Sequence, residues 1–105
     1  MIDESSEKHH IYKLALAKWG KQLQIMLYME EAAELTKALS KYIRVVNQQD
    51  EGWEAKATKS IDQISEEIGD VEVMLEQLKD MFQCATKTAG YKREKLIRLR
   101  ERVKN

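Results

Sequence analysis

Residues 21–47 read KQLQIMLYMEEAAELTKALSKYIRVVN, a run with neither proline nor glycine. Placed on a helix at about 100° per residue with Glu31 at zero, Tyr42, Leu35, Tyr28, Val46, Leu39, Ala32, Ile25 and Ile43 fall between roughly 20° and 120°. That is one coherent apolar face, expected to be buried, with Lys37, Lys41 and Arg44 opposite it. Glu31 marks the edge of the apolar arc, Glu34 lies one step further out, and Glu30 sits on the polar side.

A second stretch repeats this pattern. From residues 55–60 to about residue 85, Leu78, Val71, Phe82, Ile64, Leu75, Ile68 and Ile61 occupy the same arc when Glu67 is set to zero. Tyr28, Ala32, Leu35, Leu39, Tyr42 and Val46 map onto Ile64, Ile68, Val71, Leu75, Leu78 and Phe82 at a constant offset of 36. Glu67 again marks the edge and Asp70 the step outside. Between the two lies turn chemistry, Asn47-Gln48-Gln49-Asp50-Glu51-Gly52, followed by Trp53. Glu34 stands 16 residues before Asp50 and Glu67 17 after it, so an antiparallel hairpin brings the two acidic pairs to the same level.

The ends are shorter elements. Residues 1–6 read as a frayed acidic lead, with Ser5 or Ser6 as cap and Glu7 in the opening turn of a first helix that ends or bends at Gly20. His9 and His10 are adjacent, point about 100° apart, and lack ligand spacing. Residues 86–90 read as the end of the third helix, with Gly90 its stop. A basic helix over 91–105 then carries seven Lys/Arg against two Glu. The expectation is all-α: four helices, two of them long and antiparallel as a hairpin with shorter N- and C-terminal helices, in one domain of 105 residues. A small helical chain of this kind often needs a partner subunit to finish its core, which points to an oligomeric bundle.

Net charge is zero, so composition by itself assigns no polyanionic partner. The basic segment has one aromatic, Tyr91, and no recognised module, which argues against nucleic acid. No apolar run reaches the ~18 residues of a membrane span. Cys84 is the single cysteine and is expected to pack as a small apolar residue in a reducing compartment, consistent with a cytoplasmic protein.

Carboxylates three residues apart project from one side of a helix, and two such pairs facing each other at the edge of a buried arc repel unless a cation compensates them. Oxygen-only ligands select Mg²⁺, with Mn²⁺ as alternative. The chemistry implied is water attack on a phosphate chain. Glu-Glu-x-x-Glu-Leu at residues 30–35 and Glu-Glu-x-Gly-Asp-Val at residues 66–71 resemble the signature of the all-α nucleoside triphosphate pyrophosphohydrolases of the MazG type. Lys18-Trp19-Gly20 with Gln24, and the stretch from Glu94-Lys95-Leu96 to Arg102, resemble the short single-domain members found in bacteriophages.

The resemblance covers residues 9–103. It implies hydrolysis of a (deoxy)nucleoside triphosphate to monophosphate and pyrophosphate, in a host cytoplasm if the chain is phage-encoded. It also implies Mg²⁺ on Glu31, Glu34, Glu67 and Asp70, with one of these, or Glu30 or Glu66, orienting water. Trp19 and Gln24 would meet the base. Lys95, Arg98 and Arg102 would meet phosphates, across a subunit boundary in a homodimer or homotetramer. Met74, one turn after Asp70, leaves base preference open. The alternative is a non-catalytic helical adaptor with a solvated acidic face; a di-iron bundle lacks its paired Glu-x-x-His motifs.

Overall fold

The computed structural model describes residues 6–104. The chain is all-α: α1 spans Ser6–Gln48, α2 Trp53–Phe82 and α3 Ala85–Lys104. Ser6 is already the first residue of α1, and the rest of the expected acidic lead lies outside the described residues. The two helices expected on either side of Gly20 are limbs of α1. Gly20 takes φ 83° and ψ 163°, outside the helical region, so the helical conformation is interrupted there and the two limbs meet at a kink. A straight helix of 43 residues would run about 65 Å, yet the molecule's longest dimension is 48 Å. This backbone conformation is open to glycine and strained for other residues.

α1 and α2 pack as a long antiparallel hairpin. The turn uses left-handed Gln49 (φ 49°) and Gly52 (φ 77°), and the Trp53 N–H donates to the Asp50 carbonyl at 2.9 Å. α2 stops at Phe82, because Gln83 adopts the left-handed conformation (φ 50°) and the N–H groups of Gln83 and Cys84 close onto the Asp80 and Lys79 carbonyls. This corrects the expected stop at Gly90, which lies inside α3; an interior glycine costs a helix only about 1 kcal/mol. α3 meets only α2, and none of its residues is buried.

The apolar face expected to be buried is only partly covered. Among the described residues the buried apolar side chains are Tyr12, Ala38 and Ala57, whereas Ile43 is 57% exposed, Ile61 50% and Phe82 53%. The seam between the helices runs instead along Gln24, Glu31, Ala38 and Val45 on α1 and Ser60, Glu67, Met74 and Met81 on α2, each row spaced by seven. The next row round, Ile25, Ala32, Leu39 and Val46 with Ile61, Ile68, Leu75 and Phe82, turns its edge outward. Small side chains in the seam let the backbones approach, and a two-helix contact covers only one stripe of so broad an arc. Antiparallel packing reverses the sense of rotation, so the two open apolar rows fall on one side of the hairpin. Glu34 and Asp70, roughly 60° the other way round each helix, fall on the opposite side.

The accessible surface of 8607 Å² exceeds by about 2500 Å² the ~6100 Å² of a compact 12.3 kDa monomer. The radius of gyration is 17.6 Å against about 13 Å for a compact chain of this length. No described helix is long and apolar enough to cross a membrane.

Candidate functional site

The seam brings three of the four expected acids together. One carboxylate oxygen from each of Glu31, Glu67 and Asp70 lies within 4.8 Å of the other two. Glu31 and Glu67 are half-buried in the seam and Asp70 is exposed beside it. Glu34 stands outside this group, exposed one turn beyond Glu31. The Glu67 Oε2 atom has no accessible surface and no hydrogen-bond partner.

Such a cluster is electrostatically uncomfortable. The Glu31 carboxyl is held above the usual range first by desolvation, then by the charge of Asp70 and a hydrogen bond to it, then by Glu34 and Glu30. Glu67 is raised likewise by desolvation, then by Asp70, Glu31, Glu34 and Glu66. A proton shared in the cluster or a cation placed among the oxygens relieves it. Glu31, Glu67 and Asp70 are the residues that could hold a cation, and their all-oxygen donor set suits a hard one.

The first limb of α1 is tied to the far end of α2. Tyr12 Oη donates to Glu76 Oε2 at 2.5 Å, Lys8 Nζ lies 3.2 Å from the same carboxylate, and His9 Nδ1 lies 2.9 Å from Asp80 Oδ1. Beside these contacts lies a groove of about 390 Å³ near the Gly20 bend, whose lining includes Tyr12, Leu16, Gln24, Gln77, Asp80 and Met81. Gln24 is 3% exposed, and the Gln77 Oε1 atom is inaccessible and unpartnered. Gln24 precedes Glu31 by seven residues and Gln77 follows Asp70 by seven. In an antiparallel pair both amides therefore lie about 10 Å from the acids in the same direction.

Of the other expected contacts, Trp19 does not line this groove; it is exposed, with Lys18 Nζ 5.2 Å from its ring. Lys95, Arg98 and Arg102 share a small hollow on α3, a helix that makes no contact with α1 in the same chain. Gln77 and Tyr12 were not legible as groove residues, nor Glu76 as the partner of Tyr12. Their signal is the seven-residue step of Gln77 from Asp70 and the acid at residue 76 facing a bend whose direction the sequence does not give.

No protein-family model, curated protein or solved structure matches the chain.

Proposed function

We propose that the chain hydrolyses a (deoxy)nucleoside triphosphate to the monophosphate and pyrophosphate with Mg²⁺ held by Glu31, Glu67 and Asp70, and Glu34 at the rim. The observation that carries the reading is the convergence of three carboxylate oxygens from two helices around an inaccessible Glu67 oxygen that nothing else satisfies. The donor set is all oxygen, which fits a hard cation. An ion held there would supply a lowered pKa for a nearby water and compensation of charge on the phosphate chain.

The chain's own groups do the rest. With Glu31, Glu67 and Asp70 as metal ligands, a neighbouring carboxylate, Glu34, Glu30 or Glu66, is left to orient the attacking water. The groove holding the Gln24 and Gln77 amides offers paired donors and acceptors about two helical turns away, a fit for the polar edge of a base. Trp19, Lys95, Arg98 and Arg102 reach a site only from another subunit.

A second copy of the chain is also part of this proposal. On α2 the open residues Ile61, Ile68, Leu75 and Phe82 have the seven-residue spacing of a helix-bundle seam, with Leu39 of α1 open on the same side. Its partner would be the same row of another chain, giving a four-helix homodimer core. The surplus of about 2500 Å² per chain, about 5000 Å² for a pair, falls at the upper end of the 2000–5000 Å² total of an obligate homodimer interface. The acids, on the other side of the hairpin, stay open to substrate.

The decisive assay is a panel of common and modified triphosphates with Mg²⁺ or Mn²⁺ and product identification. Pyrophosphate release from at least one is expected; no turnover on any of them would favour the adaptor, in which the apolar face is the working surface.

A further inference from the structure

On the same side of the hairpin as Glu34 and Asp70, but toward the turn, α1 and α2 enclose a second groove of about 460 Å³. Lys41, Arg44, Lys56 and Lys59 line it together with the polar side chains of Gln48, Ser60 and Gln63, and it contains no acid. Among the described residues, no carboxylate stands within ion-pair distance of any of the four cations. Like charges gathered in one concavity repel, and an anion placed between them reverses the sign of that energy. Lys41 follows Glu34 by seven residues, Gln63 precedes Asp70 by seven, and Ser60 precedes Glu67 by seven. The groove thus begins about two turns, ~10 Å, from the acids, on the side away from the Gln24 and Gln77 groove.

We propose that this groove binds the terminal phosphates of an oligophosphate, the end that leaves as pyrophosphate, through Lys41, Arg44, Lys56 and Lys59. The inference rests on the catalytic reading for the direction in which the substrate lies, and on the groove alone for its ligand chemistry. Ammonium and guanidinium groups give charge-assisted hydrogen bonds to phosphoryl oxygens, and Arg44 adds a two-pronged contact. Four cations match a di- or triphosphate end better than a single phosphate. The patch is one concavity ending at the turn of residues 49–52, whereas a nucleic-acid strand needs a continuing track. The basic residues of α3, expected from the sequence to hold phosphates, are not required for this contact.

The test is calorimetric titration of the full chain with inorganic pyrophosphate and tripolyphosphate in EDTA, so that the acidic cluster contributes no metal bridge. Wild type should bind both, tripolyphosphate more tightly, with sulfate much weaker. Lys41→Ala with Lys59→Ala should weaken binding at least tenfold, and Lys41→Arg with Lys59→Arg should restore it. Both positions are exposed on helix surfaces, and circular dichroism checks that the variants fold. Glu34→Gln with Asp70→Asn should bind as tightly as wild type or more so. No binding by wild type, undiminished binding by the double alanine variant, or tighter binding of a single-stranded oligonucleotide than of tripolyphosphate overturns the proposal. Hydrolysis failing while EDTA-resistant binding persists would remove the catalytic reading and leave the groove standing.

Discussion

Tyr12 donates a hydrogen bond to Glu76 across 64 residues of chain, fastening the first limb of α1 to α2 beyond the Gly20 bend. The bond, with help from Lys8, holds the Glu76 carboxyl below its usual range, and desolvation followed by the same bond raises the Tyr12 phenol. Glu76 is partly exposed, so Tyr12→Phe should cost about 1 kcal/mol in urea unfolding, toward the low end for a bond to a charged group. The sign with pH follows from both shifts. The Glu76 contribution is present above the ordinary carboxylate pKa near 4.3 and fades as pH falls through its lowered value. The Tyr12 contribution is full below pH ~10 and fades as pH rises further. A difference between wild type and Tyr12→Phe that persists unchanged at pH 2 would show that packing, not this bond, is responsible.

Glu34→Gln and Asp70→Asn test the acidic site directly. Each is exposed, so folding should survive. Activity should fall by more than the roughly 10–100-fold typical of residues that only orient a metal ligand. Asp70→Asn is expected to be the more severe, since Asp70 belongs to the close triad and Glu34 stands at its rim. Steady-state rates across a Mg²⁺ titration distinguish lost metal affinity from lost turnover.

The raised carboxyls make a stability prediction of opposite sign. The contribution of Glu31 and Glu67 is full below the ordinary carboxylate pKa and is lost as pH rises through their raised values, so at neutral pH the metal-free cluster destabilises the fold. Glu31→Gln should therefore raise Tm in EDTA at pH 7 and lose that advantage at pH 4. Mg²⁺ should raise the wild-type Tm and shift the variant far less. A lower Tm for Glu31→Gln in EDTA at pH 7 would contradict the electrostatic account.

Gly20 and Gly69 give a matched pair. A Cβ at either position meets nothing within 4 Å, so sterics with neighbours are equal. Gly20→Ala must adopt a left-handed backbone and should lose about 1–3 kcal/mol, or straighten the limb away from α2. Gly69→Ala lies in regular helix and should gain roughly 0.5–1 kcal/mol. Equal effects in chemical denaturation would mean that the bend is not held by its glycine.

The self-association surface is tested by Ile68→Glu and Leu75→Glu. Sedimentation should show wild type at twice the chain mass and both variants as monomers. Because these variants could fail by unfolding as well as by dissociating, the second reading is the wild-type Tm, which should rise with protein concentration; a concentration-independent Tm with a monomeric wild type would remove the dimer.

The helical content and the hairpin were legible because two arcs at a constant offset leave antiparallel packing as the simple solution, and the acids' level followed from counting to the turn. Which stripe of each arc meets the other helix was not. Hydrophobicity identifies a face, but Ala38, Ala57 and Ser60 select the line of closest approach by their size, and that line passes through Glu31 and Glu67 rather than beside them. Gly90 misled for a related reason: glycine permits a helix to end, but Gln83, bonded back to Asp80, is what ends α2. The Gln24 and Gln77 groove depends on the direction of a bend, which one glycine does not encode.

The constant offset of 36 gives the hairpin a local twofold axis through the acids, exchanging Glu31 with Glu67 and Glu34 with Asp70. A centre with that symmetry has no intrinsic polarity and would accept a phosphate chain in either orientation. What breaks the degeneracy lies at the two ends of the seam, carboxamides toward the Gly20 bend and cations toward the turn. On the proposed reading, direction would be set at the flanks.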